Sequence, residues 1–195
     1  MSFRRRTVIL AMASIVAFPA SRALGQSTSG STLKWQRSNT DPRWVQGRVT
    51  VPTPADSIWG RLQQVDRWKD MFTDIKSLRV LEHDGNRWRI NLRTTAFDCG
   101  AHDYDVRFDD AQTAHLRINA PGADAHALIS VKPAPRADES VVTYSLFVQA
   151  TGIVSWFVSE ETLRKKQEYM VTKYLTDLQR AFSPAAAVVG QAAAL

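Results

Sequence analysis

Residues 159–182 read Ser-Glu-Glu-Thr-Leu-Arg-Lys-Lys-Gln-Glu-Tyr-Met-Val-Thr-Lys-Tyr-Leu-Thr-Asp-Leu-Gln-Arg-Ala-Phe. This stretch has the period of one long helix. Ser159 is a good N-cap, and Glu160 and Glu161 put negative charge in the first turn, where the helix dipole favours it. Leu163, Met170, Val171, Tyr174, Leu175, Leu178 and Phe182 recur at spacings of three, four and seven and form one apolar stripe. Arg164, Lys165, Glu168, Lys173, Asp177 and Arg180 fall largely off it, and Ser183-Pro184 ends the helix. Such a helix is about 35 Å long. Burying its stripe is worth on the order of 10–15 kcal/mol, while ordering its backbone costs about 1–2 kcal/mol per residue. The helix therefore needs a surface of matching length, and the residues before it supply one.

From Ile75 onward the apolar period is two. Leu78 and Val80 alternate with Arg79, and Asp84-Gly85 is a hairpin signal. Trp88, Ile90 and Leu92 then alternate with Arg87, Arg89, Asn91 and Arg93, and His102, Tyr104, Val106 and Phe108 with Asp103, Asp105 and Arg107. Leu116 and Ile118, then Ala127, Ile129 and Val131, then Val142, Tyr144, Leu146 and Val148 continue the pattern. Short strands with tight turns argue an antiparallel sheet. Upstream, Trp44–Val51 alternates as a half-buried strand, and Thr53-Pro54-Ala55-Asp56 signals a helix start with Thr53 as its cap. Ile58, Trp59 and Leu62 give that helix an apolar side, and a second short helix carries Val65, Trp68, Met71 and Phe72. The order predicts an α+β fold: a strand, two short helices, about six more strands and a long C-terminal helix. A sheet of about seven antiparallel strands curls, because strands twist, and the long helix fits its concave side.

Two stretches make the chain similar to the START-like, or helix-grip, superfamily (SRPBCC), with its polyketide cyclase and coenzyme Q-binding branches. One is Val51-Pro52-Thr53-Pro54-Ala55-Asp56-Ser57-Ile58-Trp59, followed by Trp68. The other is Gly152-Ile153-Val154-Ser155-Trp156-Phe157-Val158, which resembles the segment leading into the last helix of lipid-transfer members. The resemblance spans about Trp44 to Phe182. It implies that the space between sheet and helix is a ligand cavity, and such pockets are mostly apolar with a few polar groups.

The ends of the chain have a different character. Arg4 to Arg6, the short apolar run Val8–Ala17 and Ala23-Leu24-Gly25 form an export signal over residues 1–25, by the twin-arginine or the general route, and predict a periplasmic protein. Residues 26–42 read as a linker, 43–183 as the domain and 184–195 as an Ala-rich tail. The formal charge of +6 loses four arginines with the signal, leaving 21 bases against 19 acids. That balance excludes nucleic acid as an expected partner. A single cysteine, Cys99, excludes an internal disulfide.

No cofactor and no metal is expected. His83, His102, His115 and His126 sit singly on separate strands, and Cys99 with His102 is half a zinc site at most. Alternation puts His102 and Tyr104 on one face, Asp103 and Asp105 on the other. His102 with Tyr104 is thus the candidate acid/base pair, or else part of the wall. Trp88, Ile90, Tyr104, Tyr144, Met170 and Tyr174 are expected to line the cavity. Gly152, Trp156 and Phe157 belong to an apolar segment expected to gate it, with Gly152 as hinge, or to touch a membrane transiently; the alternative is plain packing at the start of the last helix, with Val158 on Leu163. The expected function is an exported carrier for a hydrophobic small molecule or lipid. The rival is a cyclase or dehydratase using the same cavity with His102 and Tyr104.

Overall fold

In the computed structural model, residues 33–38, 41, 43–95 and 100–183 are described. The export signal, the first part of the linker, Cys99 and the Ala-rich tail lie outside them. Eight antiparallel strands form one sheet: β1 (Lys34–Arg37), β2 (Trp44–Val51), β3 (Ile75–Asp84), β4 (Arg87–Thr94), β5 (Ala101–Phe108), β6 (Thr113–Ala120), β7 (Ala123–Pro133) and β8 (Ser140–Ala150). Their spatial order is β1-β2-β8-β7-β6-β5-β4-β3. The sequence predicts seven; the eighth is β1, inside the stretch read as linker. Four residues are too few to show an alternation, and β1 is held by pairing with β2 through Lys34–Arg48 to Arg37–Val45.

Helix α1 (Ala55–Leu62), a 3-10 turn at Val65–Arg67 and α2 (Trp68–Met71) carry the chain from β2 to the far edge, where β3 begins. The strands then meander back until β8 lies beside β2. Helix α3 (Glu160–Ala181) crosses over β2 and β8. Ser159 caps it, its hydroxyl accepting from the Thr162 amide at 3.2 Å. Thr53 does not cap α1 as the sequence suggests. Its hydroxyl donates to the Phe182 carbonyl at the end of α3, and its own carbonyl accepts from Ser140. A long-range tie between first and last elements outcompetes the local cap.

The core lies between the inward face of the sheet and the three helices. Ile90, Val106, Leu116, Ile129 and Leu146 are buried from the sheet, and Met170, Val171, Leu175 and Leu178 from α3. Two polar residues on α3 are buried with them. Gln167 donates to the carbonyls of Arg43 and Leu146 and so pins the helix to the residue before β2 and to β8. Asp177, read from sequence as off the stripe, is 3 % exposed. It accepts from the Thr73 amide and hydroxyl and pairs with Lys173 and Arg180. The far edge is different: β3 is exposed along most of its length and broken by two bulges, which suits an edge strand.

Candidate functional site

The chain between α2 and β3 is clamped to α3 by two consecutive residues. Thr73 meets Asp177, and Asp74 meets Tyr174, one helical turn earlier. The Asp74 carbonyl also accepts from the Thr95 amide, just past β4. Tyr174, one partner in this clamp, also lines a small cavity between the sheet and α3. Phe72, Ile75, Leu92, Ile118, Ile129 and Met170 give it apolar walls, and Tyr104, Tyr144 and Tyr174 bring phenols to it. Its volume is about 30 Å³, room for a water or two. Edge-to-face aromatic contacts keep it tight. Phe72 meets Tyr174 at 5.3 Å and Trp68 at 5.9 Å, while Tyr144 lies 5.2 Å from Tyr174. The Trp68 indole donates to the Leu62 carbonyl at 2.8 Å, which fixes that ring.

Burial shifts the polar groups in and beside the cavity. Asp74 is 3 % exposed. Burial raises its carboxyl above the usual range, opposed by the Tyr174 hydrogen bond and by nearby Lys173. Burial also pushes the Tyr144 and Tyr174 phenols well above their ordinary value, so both stay protonated. The Tyr174 hydroxyl donates to Asp74 Oδ2 at 2.9 Å. Asp74 Oδ1 is buried and makes no hydrogen bond.

Of the residues assigned to the wall from sequence, Tyr104, Tyr144, Met170 and Tyr174 meet at this cavity, and Trp88 and Ile90 do not. Ile90 is fully buried in the core, and Trp88 stacks on His83 with ring centroids 3.5 Å apart, beyond the cavity's reach. His102 is half-buried on the same inward face as Tyr104, near the open end of β5, and is not part of the lining. Asp74 has no counterpart among the sequence candidates. Among the described residues, no group of three or more His, Cys, Asp and Glu could hold a metal ion. A larger depression of about 810 Å³ lies on the outer face of the sheet. Some of its polar side chains contact neighbours: Arg89 pairs with Glu82 and Asp103, and His115 and His126 lie against Asp109 and Asp124.

The segment before α3 forms a short 3-10 turn, Gly152–Trp156, at the end of the sheet where β6 turns into β7. Gly152 has φ +58°, which glycine adopts at no steric cost. Val154 packs against Gly122, where a Cβ would fall 2.4 Å from its methyl. Ile153, Trp156 and Phe157 point away from the core, at 70 %, 81 % and 82 % exposure. They line no part of the cavity. Ile118, which does, lies four residues from Gly122, roughly 13 Å along a strand.

This architecture defines a START-like protein. TTHA0849 from Thermus thermophilus superposes with a TM-score of 0.59 at 15 % identity, over 70 % of this chain and 94 % of that one. A START superfamily protein from Mycobacterium smegmatis gives 0.58 at 12 %, over 71 % and 96 %. The Zhui aromatase/cyclase from Streptomyces sp. R1128 gives 0.53 at 19 %, over 73 % and 96 %. At such identities these likenesses speak to the fold alone, and no curated protein matches the chain in sequence. The family model for polyketide cyclase / dehydrase and lipid transport matches residues 51–171, more than half of the chain, which belongs to that family. Fold and family together place it among hydrophobic-ligand-binding and polyketide-cyclase-like proteins.

Proposed function

We propose that the protein is an exported carrier that holds a hydrophobic small molecule or lipid between its sheet and α3. The observation that carries this reading is the chemistry of the cavity tips. They are phenols on an apolar wall, and burial keeps at least Tyr144 and Tyr174 protonated. A phenol held in that state orients a ligand by hydrogen bonding and is a poor proton shuttle. A cyclase using His102 and Tyr104 needs both at one reacting atom, and His102 is not in the lining. A carrier's ligand needs far more room than about 30 Å³. The room would come from Met170, which is flexible, and from Trp68 and Phe72, which sit on and beside the shortest helix, α2. Gly152 would serve as a hinge, and the exposed Trp156 and Phe157 would touch the donor membrane during transfer. Export rests on Arg4 to Arg6 and the apolar run after them.

The test is binding of an apolar fluorescent dye to the purified chain, with Met170→Trp and His102→Ala as variants. Carriage predicts saturable binding that Met170→Trp weakens at least about tenfold, by filling the cavity, and that His102→Ala leaves unchanged. No saturable binding, or binding indifferent to Met170→Trp, would refute it.

A further inference from the structure

The outer face of the sheet carries a cationic cluster that plays no part in the cavity. Arg107 on β5 faces Arg87 on β4 and His115 on β6 in register. The diagonal places beside it hold Arg89 and Arg117, each in register with Asp105. All five lie on the outer face and line the depression of about 810 Å³. The carboxylates nearby are mostly engaged. Asp105 accepts from Asn119, Asp109 from His115 and the Thr113 amide, and Glu82 pairs with Arg89. Asp84 stands opposite Arg87 in register, yet no ion pair forms between them. Among the described residues, Arg87, Arg107 and Arg117 make no hydrogen bond and no ion pair. Like charges directly opposite each other on a sheet are destabilising, and a neutral residue at position 107 would remove the repulsion. Three guanidiniums without partners around one point of a groove therefore point to an anionic ligand.

The geometry narrows the anion. Directly opposed residues have Cβ atoms about 5 Å apart and diagonal ones about 7–8 Å, a span that long arginine side chains close. One guanidinium fork satisfies both oxygens of a carboxylate. A phosphate monoester carries three terminal oxygens and about two charges, enough for two or three forks. The depression has the volume of a small-molecule site, which runs from roughly 300 to 1,000 Å³. Half-buried Leu128, in register with His115, gives it an apolar patch next to the cluster. We propose that this groove binds a small molecule through a phosphate monoester group held by Arg87, Arg107 and Arg117, with the body of the molecule over Leu128. The site lies on the opposite face of the sheet from the cavity and does not rest on the carrier reading.

The test is calorimetric titration of phenyl phosphate into the full chain at about pH 8, where the group is a dianion, and about 0.1 M salt, where charges beyond about 10 Å are screened. Saturable binding at one site is expected, weakened at least about tenfold by Arg107→Gln. Arg107 is exposed and unpaired, so this variant keeps the fold. Lys76→Gln removes the same charge more than about 20 Å along β3 from Asp84, the residue facing Arg87, and is expected to change the affinity by less than about twofold. Benzoate, with the same ring and a single carboxylate, is expected to bind at least about fivefold more weakly. Met170→Trp, which fills the cavity, leaves phenyl phosphate binding as it was. No saturable binding of phenyl phosphate, even where vesicles containing phosphatidic acid are bound, would overturn the proposal. So would equal losses in Arg107→Gln and Lys76→Gln, benzoate binding as tight as that of phenyl phosphate, or a loss in Met170→Trp, which would put the probe in the cavity instead.

Discussion

Trp68, Phe72, Tyr144 and Tyr174 belong to the same chemical class as Trp156 and Phe157, yet the two groups meet opposite surroundings. The first four come from α2 and its end, β8 and α3, and they converge in ring-to-ring contacts around the cavity. The other two are adjacent in sequence and more than four-fifths exposed. Hydrophobic side chains do not choose burial by themselves; burial follows where other elements offer a matching surface. Trp156 and Phe157 have none among the described residues. The first group should therefore register as stability, the second as contact with something outside. A contiguous exposed apolar knuckle is uncommon on a protein that contacts nothing.

The largest effect should follow Tyr174→Ala. The ring contacts to Phe72 and Tyr144 disappear, and Asp74 loses the Tyr174 hydroxyl as a donor. The expected loss is about 3–5 kcal/mol by urea denaturation. A loss below about 1 kcal/mol would show that the aromatic cluster is loosely packed and that the contrast with Trp156 is one of degree.

A smaller effect is expected from pH. The folded Asp74 carboxyl keeps its proton to a higher pH than the unfolded chain does, chiefly because it is buried. Its protonation therefore contributes stability that is full below the unfolded carboxylate value, near pH 4, and is lost as pH rises through the raised native value. Asp74→Asn removes that titration and leaves the other carboxylates alone. Wild-type stability minus variant stability should fall as the pH is raised from about 3 to about 7. A flat or rising difference would mean that Asp74 is better stabilised as a carboxylate than its surroundings indicate.

The smallest effect on stability belongs to the knuckle. Trp156→Ala with Phe157→Ser should shift unfolding by no more than about 0.5 kcal/mol, since neither side chain packs on the core. Uptake of an apolar ligand from lipid vesicles should nevertheless slow severalfold. A drop of several kcal/mol with uptake unchanged would erase the comparison between the two aromatic groups.

What could be read from the sequence follows the physics of each element. The meander was legible because period-two alternation recurs over six strands and the stripe of α3 recurs over six turns. β1 was not, since four residues at a sheet edge carry no alternation. Gln167 had a signal that went unused: it lies four residues after Leu163 and three before Met170, on the stripe, where a polar residue implies buried partners. Asp177 had a weaker one in Lys173 and Arg180 at helical spacing. Asp74 had none. Thr73-Asp74 between two apolar residues reads as a polar turn, and only the return of α3 a hundred residues later encloses it. Tyr104 and Tyr144 could be placed on the inward face by strand parity, and Met170 and Tyr174 by the helical period of α3. Parity does not say how far along the sheet a cavity extends, which is why Trp88 and Ile90 fall outside it.

The central claim is that the space between sheet and α3 carries an apolar guest. Native mass spectrometry of the protein purified gently from its own host tests it most directly. The account predicts a mature chain beginning near Gln26 with one noncovalent adduct of an apolar molecule, depleted in Met170→Trp. Bare protein throughout, or an adduct equally abundant in wild type and Met170→Trp, would contradict it.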